Sequence, residues 1–225
     1  MLSPPAVVAV FDLDRTVTRS GTYTPFLLHC RSILRPTSVW NFLCGLPTLA
    51  RYQIGRASRG NLKETMLHYW IAGTSRAQIA AWSEAFAVRW LESHIRPGAR
   101  DAIARHRAAG HHLVLATASL DFYARAFAER LGFHHVIATR SVWDGDERLC
   151  ARLEGENCYG AAKLEAVKAY FGTLAKPTRT VAYSDHYSDL DLLRWAHEGV
   201  AVNPDSKLRR EAEAHDLAVV DWNKA

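Results

Sequence analysis

Two aspartates close the first apolar run of the chain. "VVAVFDLDRT" (7–16) sets Asp12 and Asp14 two positions apart, with Thr16 two further on. A second acidic pair, Asp185 and Asp189, follows "RTVAYS" at a spacing of four, one helical turn. Thr117 ends "HLVLAT", and Lys163 stands just inside a helical period that starts near Gly160. Carboxylates crowded together repel, and their charged forms need compensation. A hard divalent cation with oxygen ligands supplies it, and magnesium suits a site of few protein carboxylates and a phosphate. Lys163 offers a further positive charge. The competing structural reading, Asp185 as a helix N-cap, is outweighed by the constellation as a whole.

These residues have to be carried by strands. Short apolar runs recur at 7–12, 112–118, 135–139, 179–185 and 199–203, the pattern of strands buried on both faces of a parallel sheet. Helical periods lie between them at 98–109, 120–131, 160–172, 187–197 and 205–215. Such alternation predicts an α/β class, a doubly wound parallel sheet with helices on both faces. Ligands of such sheets bind beyond the carboxyl ends of the strands, where Asp12, Asp14, Thr117 and Asp185 all fall. The stretch 20–94 breaks the alternation. It is helix-like, punctuated by Pro36, Gly45, Pro47, Gly55, Gly60 and Gly73, and reads as a helical insertion. The expected division is 1–19 core, 20–94 helical cap and 95–225 core. Pro97 marks a helix start, and 141–155 reads as a hairpin or irregular excursion around Asp144-Gly145.

Composition narrows the class. A 225-residue chain with 48% hydrophobic and 23% charged residues is ordinary for a globular protein. Its four cysteines match neither a disulfide framework nor a zinc site, and reduced structural cysteines are expected. The apolar start lacks a basic leader and runs into aspartates, so it reads as a buried strand. No uncharged stretch reaches the length of a membrane span, and a cytoplasmic protein is expected. The net charge of +5 is unevenly placed: no acid lies between Asp14 and Glu64, an interval holding Arg15, Arg19, Arg31, Arg35, Arg51, Arg56, Arg59 and Lys63. That field suits an anionic substrate or surface as well as a solvated helical face. No nucleic-acid-binding motif accompanies the charge, so nucleic acid is not an expected partner.

Four segments in order carry a resemblance. "FDLDRT", "LVLATAS", the lysine of "CYGAAK" and "YSDHYSDLDLL" resemble the motifs of the haloacid-dehalogenase-like (HAD) superfamily, in its phosphoserine-phosphatase-like branch. The insertion falls where that branch carries its cap. The resemblance implies a magnesium-dependent phosphomonoester hydrolase. Asp12 would attack phosphorus and become an aspartyl-phosphate. Asp14 would protonate the leaving oxygen and then activate water. Thr117 and Lys163 would hold phosphoryl oxygens, with backbone N–H groups near Leu13 and Ala118. Magnesium would lie between the Asp12 carboxylate, the Asp14 carbonyl and Asp185, with Asp189 orienting Lys163 or a metal water. Thr16, Ser188, Arg19 and Arg56 are further candidates for substrate contact. Members of the superfamily that release halide lack an acid at the position of Asp14, so the chain reads as a phosphatase. Arg15 departs from the frequent glycine, and Ser184, His186 and Ser188 depart from usual neighbours of the last aspartates.

The expected substrate is a small, anionic phosphorylated metabolite. Phosphoserine phosphatases place a glutamate soon after the first motif, whereas "RTVTRSGTYTPFLLHC" has no acid, which disfavours phosphoserine. The aromatic residues Tyr23, Phe26, Trp40, Phe42 and Tyr52 read first as the cap's own core. A second reading has 37–54 lying on an anionic membrane, with a lipid phosphate such as phosphatidylglycerophosphate as substrate. A phosphotransferase would use the same catalytic residues. Of the histidines, His186 alone adjoins a site residue.

Overall fold

The computed structural model describes residues 7–33, 47–48, 50–174 and 179–224. Strand β1 (Val7–Phe11) lies in the middle of a seven-stranded sheet, with β2 (His112–Leu120), β3 (His135–Trp143) and β4 (Leu149–Glu154) stacked outward on one side. On the other side follow β5 (Arg179–Ser184), β6 (Glu198–Val202) and β7 (Ala218–Val220). Every pairing is parallel except β3 with β4, an antiparallel hairpin over the stretch read as a hairpin or irregular excursion. The chain reverses direction of travel at β1, between β2 and β5. A parallel sheet opens a crevice at that point, and Asp12 follows β1 directly there.

Alternation along β1 divides the core in two. Ala9 and Phe11, with Leu113 and Leu115 of β2, face one apolar cluster; Val8 and Val10, with Val114 and Ala116, face the other. The second face is covered by α6 (Ala161–Phe171), α7 (Leu190–Trp195) and α8 (Ser206–Ala214) through Val167, Leu193 and Leu208. The first is covered by α4 (Pro97–Ala108) and α5 (Asp121–Leu131).

The further helices between β1 and β2 include α1 (Tyr23–Ile33), α2 (Arg59–Trp70) and α3 (Arg76–His94). Ser58 starts α2 by accepting from the Asn61 N–H at 3.0 Å, while the Asn61 side chain reaches back to the Ser58 N–H. The apolar core of these helices runs into that of the sheet. Phe26 of α1 stacks on Tyr123 of α5 at 4.7 Å, and Phe86 of α3 meets Phe26 and Phe127 edge-on at 5.5 and 5.8 Å. Among the described residues no helix is long and apolar enough to cross a membrane. Cys30, Cys150 and Cys158 are free thiols. Trp40, Phe42 and most of the stretch proposed for membrane contact lie outside the described residues.

Candidate active site

The β1 ladder ends as the Asp12 N–H donates to the Tyr183 carbonyl at 3.0 Å, which brings Asp12 beside the end of β5. The chain then turns tightly through Leu13–Val17. Arg15 takes a left-handed conformation there (φ 64°, ψ −5°), a region glycine enters without cost. This is the position where the sequence departs from glycine, and the turn keeps its shape with arginine in it. Leu13 is buried, and its carbonyl accepts from both the N–H and the hydroxyl of Thr18 at 3.0 Å.

Lys163 ties the acids together. Its Nζ donates to Asp12 Oδ1 at 2.8 Å and to Asp189 Oδ2 at 2.6 Å, with all three side chains buried. Burial alone lowers the lysine, but Asp12 and Asp189 outweigh it and raise its pKa above the ordinary value. Ser184 donates to the same Asp189 oxygen at 2.7 Å. Thr16 Oγ1 lies 3.0 Å from both Asp12 Oδ2 and Asp185 Oδ1, and accepts from the Asp185 N–H at 3.0 Å. Burial pushes the Asp12 carboxyl up to about 7; Lys163 opposes this and Asp189 and Asp185 add to it. Burial likewise pushes Asp185 up to about 6, against the Thr16 hydrogen bond and Lys163.

One threonine proton serves only one of the two carboxylate oxygens it faces. The other is left as a buried acceptor beside a second carboxylate, an arrangement that a hard cation completes. Among the described residues no three His, Cys, Asp or Glu side chains gather as a metal cluster. The two carboxylates facing Thr16 fit a cation that keeps water and phosphate as its other ligands.

Asp14 is held separately. Oδ1 accepts from the N–H and hydroxyl of Thr22 at 2.6 and 2.7 Å, and Oδ2 from the Ser119 hydroxyl at 2.8 Å. The carboxylate is thereby fixed between the start of α1 and the end of β2. Ser119 also donates its N–H to Thr117 Oγ1 at 3.0 Å.

A cleft of about 330 Å3 opens over these groups. Asp12, Asp14, Ala118, Lys163, Asp185, Ser188 and Asp189 line it, so seven expected residues meet there. Thr16 and Thr117 are buried behind that surface. Arg19 and Arg56 are exposed and stand outside the lining; Arg15 and Arg59 are the arginines at the cleft. The Arg59 guanidinium lies 4.1 Å from the Tyr159 ring centre, and Tyr52 and His186 complete the mouth. Asp185 and Asp189 do not share a helical turn. A bend and the 3-10 turn Tyr187–Asp189 separate them, with His186 and not Asp185 as its cap.

The sequence model for haloacid dehalogenase-like hydrolases matches residues 9–194. The chain belongs to that family.

Its relatives in the family include the protein CicA of Caulobacter vibrioides, 33% identical over 86% of this chain and 84% of that protein. Phosphoserine phosphatase SerB1 of Mycobacterium tuberculosis is 29% identical over 96% of this chain and 71% of its own length. A solved structure of a protein of unknown function from Bordetella pertussis Tohama I aligns with a TM-score of 0.85 at 27% identity, covering 97% of this chain and 99% of that one. Family and relatives make the chain an enzyme, a HAD-type phosphatase. Beyond the site residues expected from the sequence, Thr22 and Ser119 hold Asp14, and Arg59, Tyr159 and Tyr52 shape the mouth. The serine of "LVLATAS" was the one available signal.

Proposed function

We propose that the enzyme hydrolyses a small, anionic phosphate monoester through an aspartyl-phosphate on Asp12, with magnesium as cofactor. Residues 20–94 serve as a helical cap over a core formed by 1–19 and 95–225. The observation that carries the reading is the Lys163 ammonium bridging Asp12 and Asp189 while Asp185 shares Thr16 with Asp12. One side chain is thus poised beside fixed positive charge at a place where negative charge gathers in phosphoryl transfer.

In the first half-reaction an Asp12 oxygen bonds to phosphorus as the ester P–O bond breaks, and Asp14 gives a proton to the leaving oxygen. In the second, Asp14 takes a proton from water as the water oxygen bonds to phosphorus and the Asp12–phosphorus bond breaks, releasing inorganic phosphate. Thr22 and Ser119 keep Asp14 aimed during both. Asp12, Asp185 and the Asp14 carbonyl would hold magnesium, which when bound offsets phosphoryl charge.

The mouth supports an anionic substrate. Its acids are the four aspartates of the site, and Arg15 and Arg59 stand free of them at the opening. An ammonium group would meet arginine there, so phosphoserine should react worse than esters that carry a carboxylate or second phosphate and no ammonium group. One observation favours a lipid phosphate as second reading: Ile54 is 64% exposed, in a turn that also holds exposed Arg51 and Arg56. Absence of binding to anionic vesicles at low salt removes it.

The deciding experiment is a panel of phosphate monoesters given to the wild type and Asp12→Asn. The variant should lose turnover by about 10³-fold or more while its fold stays intact by circular dichroism. Wild type quenched in acid should carry a phosphoryl group on Asp12 by mass spectrometry. Retained turnover in Asp12→Asn removes the nucleophile.

A further inference from the structure

Lys63 stands in the second turn of α2, and its ammonium points down into the core instead of outward. It donates to Asn157 Oδ1 at 2.6 Å and to the main-chain carbonyl of Ala118. The Tyr23 hydroxyl fixes the same turn by donating to the Lys63 carbonyl at 2.9 Å, and the Tyr23 ring centre lies 5.9 Å from the ammonium. A half-buried lysine more often meets a carboxylate. Here both acceptors are neutral, and both belong to segments that frame the phosphoryl site.

Ala118 belongs to the end of β2. The peptide whose oxygen receives Lys63 has its N–H on Ser119, and that N–H donates to Thr117 Oγ1. One peptide group is therefore gripped at both ends. A cation on its oxygen strengthens the donor at its nitrogen, because linked hydrogen bonds polarise one another. With its oxygen committed as acceptor, the Thr117 hydroxyl has its proton available for a phosphoryl oxygen. Asn157 lies in the loop that ends at Gly160, the N-cap of the helix that carries Lys163. Its Oδ1 also lies 3.0 Å from Thr139 Oγ1, which accepts from the Cys158 N–H at 3.0 Å.

We propose that Lys63 is a positioning residue that reaches from α2 to set the phosphoryl-binding end of β2, aligning the Ala118–Ser119 peptide and through it Thr117. The inference rests on the phosphatase reading given above. It goes beyond that reading because Lys63 touches neither the nucleophile nor the acid. Burial pushes the ammonium down to about 8, opposed by Asp14 and Cys158 and reinforced by Arg59 and Lys163. The contact therefore loses its charge within the working range of a phosphatase assay.

The test uses the full chain with magnesium and p-nitrophenyl phosphate, from about pH 6 to about pH 9.5, with melting curves for each variant. Lys63→Met should lower kcat about tenfold and change KM less than about threefold. Lys63→Arg, always charged, should keep kcat within about threefold of wild type and lose the fall in activity above about pH 8. Asn157→Asp gives the ammonium a charged partner and should carry that fall upward by about one pH unit. A merely structural lysine moves none of these pH limbs, and the Asn157→Asp arm decides should Lys63→Met not fold. An active wild type whose alkaline limb ignores Asn157→Asp, or whose Lys63→Met variant folds and keeps full kcat, overturns the positioning role alone. A wild type that hydrolyses no phosphate monoester overturns the phosphatase reading and this role with it.

Discussion

Arg96 holds Arg15 in place: its Nε donates to the Arg15 carbonyl at 3.0 Å, while its own N–H donates to the Val17 carbonyl at 3.0 Å. Arg96 is buried and also reaches the Asn223 side chain. A non-glycine residue at φ 64° costs about 1–2 kcal/mol, so the turn that carries Asp12 and Asp14 survives because its surroundings over-determine it. Arg96→Met should destabilise the enzyme by about 1–3 kcal/mol in urea melts and lower kcat at saturating magnesium. Unchanged stability would show that the turn holds itself.

Ser119 and Thr22 grip opposite oxygens of Asp14, so each should matter most when the leaving group needs a proton. Ser119→Ala should lower kcat about tenfold on an alkyl phosphate and much less on p-nitrophenyl phosphate, whose leaving group departs without help. Equal losses on both substrates would assign Ser119 to phosphoryl binding instead.

Removal of magnesium with EDTA should stop turnover, and added magnesium should restore it. On the proposed reading a proton would compete with the metal at Asp12 and Asp185, whose carboxyls burial pushes up to about 7 and about 6. Apparent magnesium affinity should therefore weaken progressively as pH falls through that range, since the ligands must ionise to bind. Activity titrations with magnesium at about pH 8 and about pH 5.5 read this directly. A pH-independent affinity would place the metal elsewhere.

The acids were legible because the chain holds them in short motifs at strand ends, and strand ends follow from apolar runs bounded by polar residues. Asp12, Asp14 and Asp185 need only β1 and β5 to be neighbours. Lys63 and Asn157 were not legible: their contact spans 94 residues, and a lysine in a basic interval looks like one more solvated charge. Arg59 and Arg56 are equivalent in sequence and both exposed, yet Arg59 begins α2 beside Tyr159 at the cleft while Arg56 lies in the preceding turn outside its lining. Strand β7, three residues long at the sheet edge, is too short for periodicity to register. Asp189 is held by Lys163 and Ser184 and Asp185 by Thr16, a tertiary arrangement that helical spacing imitates.

His106 gives the fold a pH dependence of its own, away from the cleft. Its Nε2 lies 2.9 Å from the Tyr183 hydroxyl and its Nδ1 lies 2.8 Å from His111 Nδ1, so protonation of both rings would set two cations in contact. Burial, then His111 and Arg105, push His106 from the ordinary 6.5 down to about 4, with Glu198 opposing. A folded pKa below the unfolded one means that the unfolded chain binds the extra proton. The stabilisation is complete above about pH 6.5 and is lost as pH falls toward about 4. Wild type should thus lose melting temperature over that window more steeply than His106→Gln, which keeps a polar partner for Tyr183 and cannot titrate. Melting curves taken at half-unit pH intervals compare the two slopes. Parallel slopes would place the destabilising proton on a different residue.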